Sequence, residues 1–73
     1  MKAQLYDQIR LLVPVRSEYR DRVISAGAVG TVVDCYEQPR EGYAADFPVD
    51  DPRLAGGKSY ENVIVYPDQF EVV

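Results

Sequence analysis

The stretch that most constrains the fold is Gly27-Ala28-Val29-Gly30-Thr31-Val32-Val33-Asp34-Cys35-Tyr36, a β-branched run entered through two glycines. β-Branched side chains are stiff at χ1 and pack well on a pleated surface, so residues 29–36 are expected to form a strand. Gly27 and Gly30 suit a positive φ or a close backbone approach at its entry. Simple alternation would place Val33 and Cys35 on one face. A bulge would instead turn Val32 and Cys35 both inward, as a small curled sheet requires, and that is the arrangement we expect.

The rest of the chain reads as strands and loops closing around this one. Residues 8–13 alternate at Ile9, Leu11 and Val13, and Pro14 stops them. Residues 15–26 are polar and charged and predict a long loop, with room for one helical turn and with Val23 and Ile24 tucked under the sheet. Residues 38–42 (Gln-Pro-Arg-Glu-Gly) predict a turn. Residues 43–47 form the third expected strand, with Ala45 and Phe47 on one side. Residues 48–59, with two prolines and two glycines, predict a second long loop, the expected place for a binding surface. Residues 60–65 and 70–73 complete the strands, joined by a 3-10 turn at 67–69. Five short strands and two long loops predict a single all-β domain over residues 1–73, a small five-stranded SH3-like barrel.

Three segments in this order, Leu5-Tyr6-Asp7-x-Ile9-Arg10-Leu11, Gly27-x-Val29-Gly30-Thr31-Val32-Val33 and Pro67-Asp68-Gln69-Phe70-Glu71, resemble a small bacterial family, domain of unknown function 4926. The resemblance spans nearly the whole chain. It implies an SH3-like barrel and a stand-alone small protein, an accessory subunit or antitoxin-like partner, and it carries no activity. The sequence departs from the family pattern at Ala45-Asp46-Phe47, where the family has Val-Glu-Phe, and in a longer loop at 48–59.

Several chemistries are disfavoured. The chain has no histidine, which removes the commonest general base and the usual zinc ligand. Its one cysteine, Cys35, lies among valines and reads as a small buried hydrophobe, not a nucleophile. Gly57-Lys58-Ser59 looks like the end of a phosphate loop, but Pro52 stands where that motif needs glycine, and a strand follows instead of a helix. The acids lack calcium-loop spacing. No cofactor, metal or catalytic residue is expected, and the protein is read as a non-enzyme.

Charge points towards a partner. Residues 1–30 carry five bases against three acids, and residues 31–73 carry three against nine. An acidic face around Asp34, Glu37, Asp46, Asp50 and Asp51, anchored by Tyr36 and Tyr43, would suit a protein with a basic patch. The six tyrosines fit such an interface. The alternative is nucleic-acid binding through Arg16, Arg20 and Arg22, disfavoured by the net charge of −4 and by Glu18 and Asp21 inside the cluster. Self-association through an edge strand is compatible with either. No apolar run approaches a membrane span, and the N-terminus lacks the apolar centre of a signal peptide. A cytoplasmic location, in a bacterium, is therefore expected.

Overall fold

A computed structural model describes residues 1–17 and 21–73. It is all-β, and no helix among the described residues is long and apolar enough to cross a membrane. The elements are β1 (Gln8–Leu11), β2 (Val15–Arg16), β3 (Val23–Ile24), β4 (Val29–Tyr36), β5 (Gly42–Asp50), β6 (Lys58–Val65), a 3-10 turn (Pro67–Gln69) and β7 (Phe70–Val72). Five strands form one antiparallel sheet in the order β6-β5-β4-β1-β7, while β2 and β3 pair as a separate small hairpin.

The ladder does not close. β6 and β7 end the order and are not paired with each other, so the expected barrel is an open sheet. β7 supplies only three residues. The flank of β6 meets the hairpin instead, where the Ser17 hydroxyl donates to Glu61 Oε1 at 2.6 Å.

Several expected boundaries move. The first strand ends at Leu11, not Val13. Leu11 N–H donates to Ala28 O and Gly27 N–H donates to Leu11 O, and Leu12 N–H then turns to Gln69 O. Residues 15–26 hold the two-rung hairpin of Val15 with Ile24 and Arg16 with Val23, not a plain loop, and of the expected tucked pair only Ile24 is buried. The strand expected to stop at Phe47 runs through Pro48 to Asp50, and β6 begins at Lys58. The β4–β5 register ends at Thr31 opposite Asp46, so Pro48 has β6 on one side only, and a missing N–H is tolerated there.

The bulge is present. The β4–β5 register passes from Val32 opposite Ala45 to Asp34 opposite Ala44, leaving Val33 extra. Val32 is buried, Cys35 packs against the core, and Val33 is exposed. The core centres on Ile9, Leu11, Val32, Tyr43, Phe47, Val63, Val65 and Phe70. Tyr43 and Phe70 meet edge to face at 5.4 Å. Gly30 is required by this packing, because a Cβ there would lie 2.7 Å from the Asp46 carbonyl oxygen and the Phe47 ring.

Candidate functional site

The outer face of β4, β5 and β6 gathers the surface features. On β5, Tyr43, Ala45 and Phe47 point into the core, so Gly42, Ala44, Asp46 and Pro48 turn outward. On β6 the outward set is Tyr60, Asn62 and Ile64, and Tyr66 continues it. Two hollows lie on this face, separated along β5 by Ala44, whose register partners are Asp34 and Ile64.

The first hollow, about 250 Å³, is lined chiefly by Tyr36, Pro39, Arg40, Gly42, Ile64 and Tyr66. Gly42 opens it: a Cβ there would come 3.2 Å from Tyr66 Cε1, so the missing side chain lets the ring lie close over the strand. The Arg40 guanidinium carbon sits 3.6 Å from the centroid of that ring, a cation–π stack. Tyr66 is fixed from below by the 3-10 turn, where its N–H donates to Gln69 Oε1 at 2.9 Å and its carbonyl accepts from Gln69 N–H at 2.9 Å.

The second hollow is a broader groove of about 540 Å³ between Gln8 on β1, Thr31 and Val33 on β4, Asp46 and Pro48 on β5, and Tyr60 on β6. One cross-strand row runs along its floor: Gln8, Thr31, Asp46 and Asn62 are successive register partners. Asp46 Oδ1 accepts from the Asn62 amide at 2.8 Å.

The expected acidic face is therefore divided. Asp34 and Glu37 stand exposed beside Tyr36, with Asp34 Oδ1 accepting the Cys35 N–H at 2.9 Å. Asp46 lies in the second groove. Asp50 is exposed but paired with Lys58 Nζ at 2.6 Å, which lowers its pKa. Asp51 does not belong to the face. It is 4% exposed and held by Arg53 through Nε at 3.0 Å, Nη2 at 3.1 Å and the backbone N–H at 3.0 Å. These bonds bring its carboxyl from the usual 3.8 down to about 2.

Tyr43 is also no surface anchor. It is 0% exposed; its hydroxyl donates to Glu41 Oε2 and accepts the Ala3 N–H at 3.2 Å. Glu41 accepts the Lys2 N–H at 2.9 Å in turn, and these two hydrogen bonds hold its carboxyl below the usual range. Burial raises the Tyr43 pKa, helped by its bond to Glu41. Cys35 is likewise pushed up, by desolvation first and then by Asp34 and Asp7, which is the opposite of an activated thiolate.

The basic cluster is not a free patch among the described residues. Arg16 is bound to Asp21, and Arg22 is half-buried. Arg20 lies outside the described residues.

The sequence reading missed Arg40 and Gly42 as features of this face and took Tyr60 and Tyr66 only as two of six interface-suited tyrosines; the even spacing of 60, 62, 64 and 66 places those four positions on one face of an extended chain. Comparison with protein-family models, with curated proteins and with solved structures finds no significant match.

Proposed function

We propose that this chain is a non-catalytic, cytoplasmic protein-binding module of SH3-like type, an accessory or antitoxin-like partner of another bacterial protein. The observation that carries the reading is the hollow of Tyr36, Gly42, Ile64 and Tyr66, an aromatic-lined concavity on a sheet face with Asp34 and Glu37 at its rim. The strand order β6-β5-β4-β1-β7 and the 3-10 turn before the last strand support the SH3-like part. The resemblance to domain of unknown function 4926 points the same way. Aromatic anchors set in a polar rim are the usual make-up of an interface hot spot.

The test is capture of partners by the tagged protein from nuclease-treated host lysate, followed by native mass spectrometry, beside Tyr36→Ala. The expected result is one stoichiometric protein retained by the wild type and lost with Tyr36→Ala, whose melting curve stays cooperative. Capture that vanishes with nuclease, or that survives Tyr36→Ala unchanged, would overturn the reading.

A further inference from the structure

We infer that the groove between β1, β4, β5 and β6 is a receptor for a single arginine side chain of a partner protein, with Asp46 as the counter-ion. This rests on the protein-binding reading for its biological setting, although the groove itself is a separate site on the same face.

The chemistry of the lining selects the occupant. Asp46 places a carboxylate on the groove floor. One oxygen accepts from Asn62, which fixes the side chain, and the other has no partner among the described residues. In the same cross-strand row Thr31 stands next to Asp46 and Gln8 lies one strand further on, and neither side chain is hydrogen-bonded to the rest of the described chain. The Gln8 carbonyl oxygen, the Thr31 hydroxyl and the second Asp46 oxygen can each accept from a donor that enters the groove.

Above that row stand Val29, Pro48 and Tyr60. Tyr60 is 69% exposed, and its ring has no aromatic or cationic neighbour among the described residues. A guanidinium answers all three features at once. Its planar fork meets a carboxylate, its remaining N–H groups reach neutral acceptors, and its flat face stacks on an aromatic ring while its methylenes cover apolar walls. An ammonium is a compact point charge with three donors and no flat face, so it matches less of the lining.

The protein does not fill this groove with its own cations. Arg10, the nearest on β1, pairs with Glu71 across β7 at 3.6 Å, and Lys58 pairs with Asp50. Arg40 sits at the far hollow, stacked on Tyr66. Asp34 and Glu37 stand near Arg40 at that end, whereas the groove keeps Asp46 without a cation of its own, so the attraction for an incoming guanidinium is local to Asp46. Asp46 and Gly42 lie four residues apart on β5, about 13 Å along an extended strand, so one short segment can reach both hollows.

The test is a titration of the full-length protein, followed by amide NMR, with N-acetyl-arginine methylamide. The lysine analogue and the uncharged citrulline analogue serve as comparators. Saturable shifts at Thr31, Asp46 and Tyr60 are expected with arginine, at least several-fold weaker with lysine and lost with citrulline. Asp46→Asn, which can still accept from Asn62, should abolish the response, and Asp68→Asn, removing the same charge elsewhere, should not.

Equal response to citrulline, shifts confined to other surfaces, or full binding by Asp46→Asn would each overturn the proposal. Groove shifts on simple dilution without probe would overturn it too, by showing that a second copy is the occupant. The titration needs no partner protein. A groove that binds arginine while host capture fails would sink the wider protein-binding reading alone. A partner captured through Tyr36 with no arginine response would sink this inference alone.

Discussion

At the scale of single residues, Gly30 and Gly42 show how one missing Cβ serves two ends. Gly30 faces the core, and a methyl there would meet both backbone and ring at 2.7 Å. The Asp46 carbonyl belongs to the β4–β5 ladder and cannot move aside cheaply. Gly30→Ala is therefore expected to lower unfolding free energy by about 1–3 kcal/mol, read from the midpoint of urea denaturation. Gly42→Ala crowds the Tyr66 ring, at 3.2 Å, and otherwise meets Ile64 at an ordinary 3.8 Å, so its cost should be smaller, with the loss felt in the shape of the hollow. A Gly30→Ala protein as stable as wild type would show that the β4–β5 packing is looser than described. Tyr43 belongs to the same scale. Removing its hydroxyl leaves the buried Ala3 N–H without its acceptor, and Tyr43→Phe should cost about 1–2 kcal/mol in the same assay. The inward position of Tyr43 was legible: alternation from Ala45 and Phe47 already puts residue 43 on the core side. The expectation of a surface anchor weighed the amphipathic character of tyrosine above that parity.

At the scale of elements, the sequence marks strands well where β-branched residues and glycines mark them, and poorly where pairing decides. Val29–Tyr36 and its bulge were visible in the residues themselves. The continuation of β5 through Pro48 was not, because proline ends a strand only when its N–H side is paired, and nothing in the local sequence reports that β4 has already stopped. The β2–β3 hairpin was hidden for a related reason. Two rungs are too few for periodicity to register, and the hairpin is held from outside by Ser17 on Glu61. Ser17 and Glu61 are 4% and 3% exposed, so this hydrogen bond is made away from water. Ser17→Ala is expected to loosen the hairpin locally by about 1 kcal/mol. Hydrogen exchange at the Ser17 amide, which donates to Arg22 O at 2.9 Å, should speed up roughly fivefold while the β4–β5 amides keep their protection. Uniform acceleration across the sheet would mean that hairpin and sheet open as one unit.

At the scale of the whole molecule, the division of the acidic residues has a consequence for stability against pH. A chain without histidine has no side chain that ordinarily titrates near neutrality, so its melting temperature should be nearly flat between about pH 5 and pH 8. Below that, Asp51, Asp50 and Glu41 decide. Each has a folded pKa lowered by its hydrogen-bond partners: Arg53 for Asp51, Lys58 for Asp50, and Lys2 N–H with Tyr43 for Glu41. A lowered carboxyl stabilises the fold fully above its unfolded pKa, near 4, and that contribution fades as pH falls through the folded value. For Asp51 the window runs from about pH 4 down to about 2. Above neutrality the sign reverses. Tyr43 and Cys35 have raised folded values, so their contribution is whole below their unfolded pKa and lost as pH climbs through the folded one. Thermal melts followed across this range should trace a plateau with two falling limbs. Asp51→Asn should melt below wild type at neutral pH, having lost the pairing with Arg53, and the two curves should converge as pH approaches 2. Curves that stay parallel down the acid limb would show that the Asp51–Arg53 pairing does not set the acid response. The same experiment on Tyr43→Phe should shorten the alkaline limb, because phenylalanine has no proton to lose, and should also weaken the Glu41 part of the acid limb, because Glu41 loses one of the two hydrogen bonds that lower its pKa.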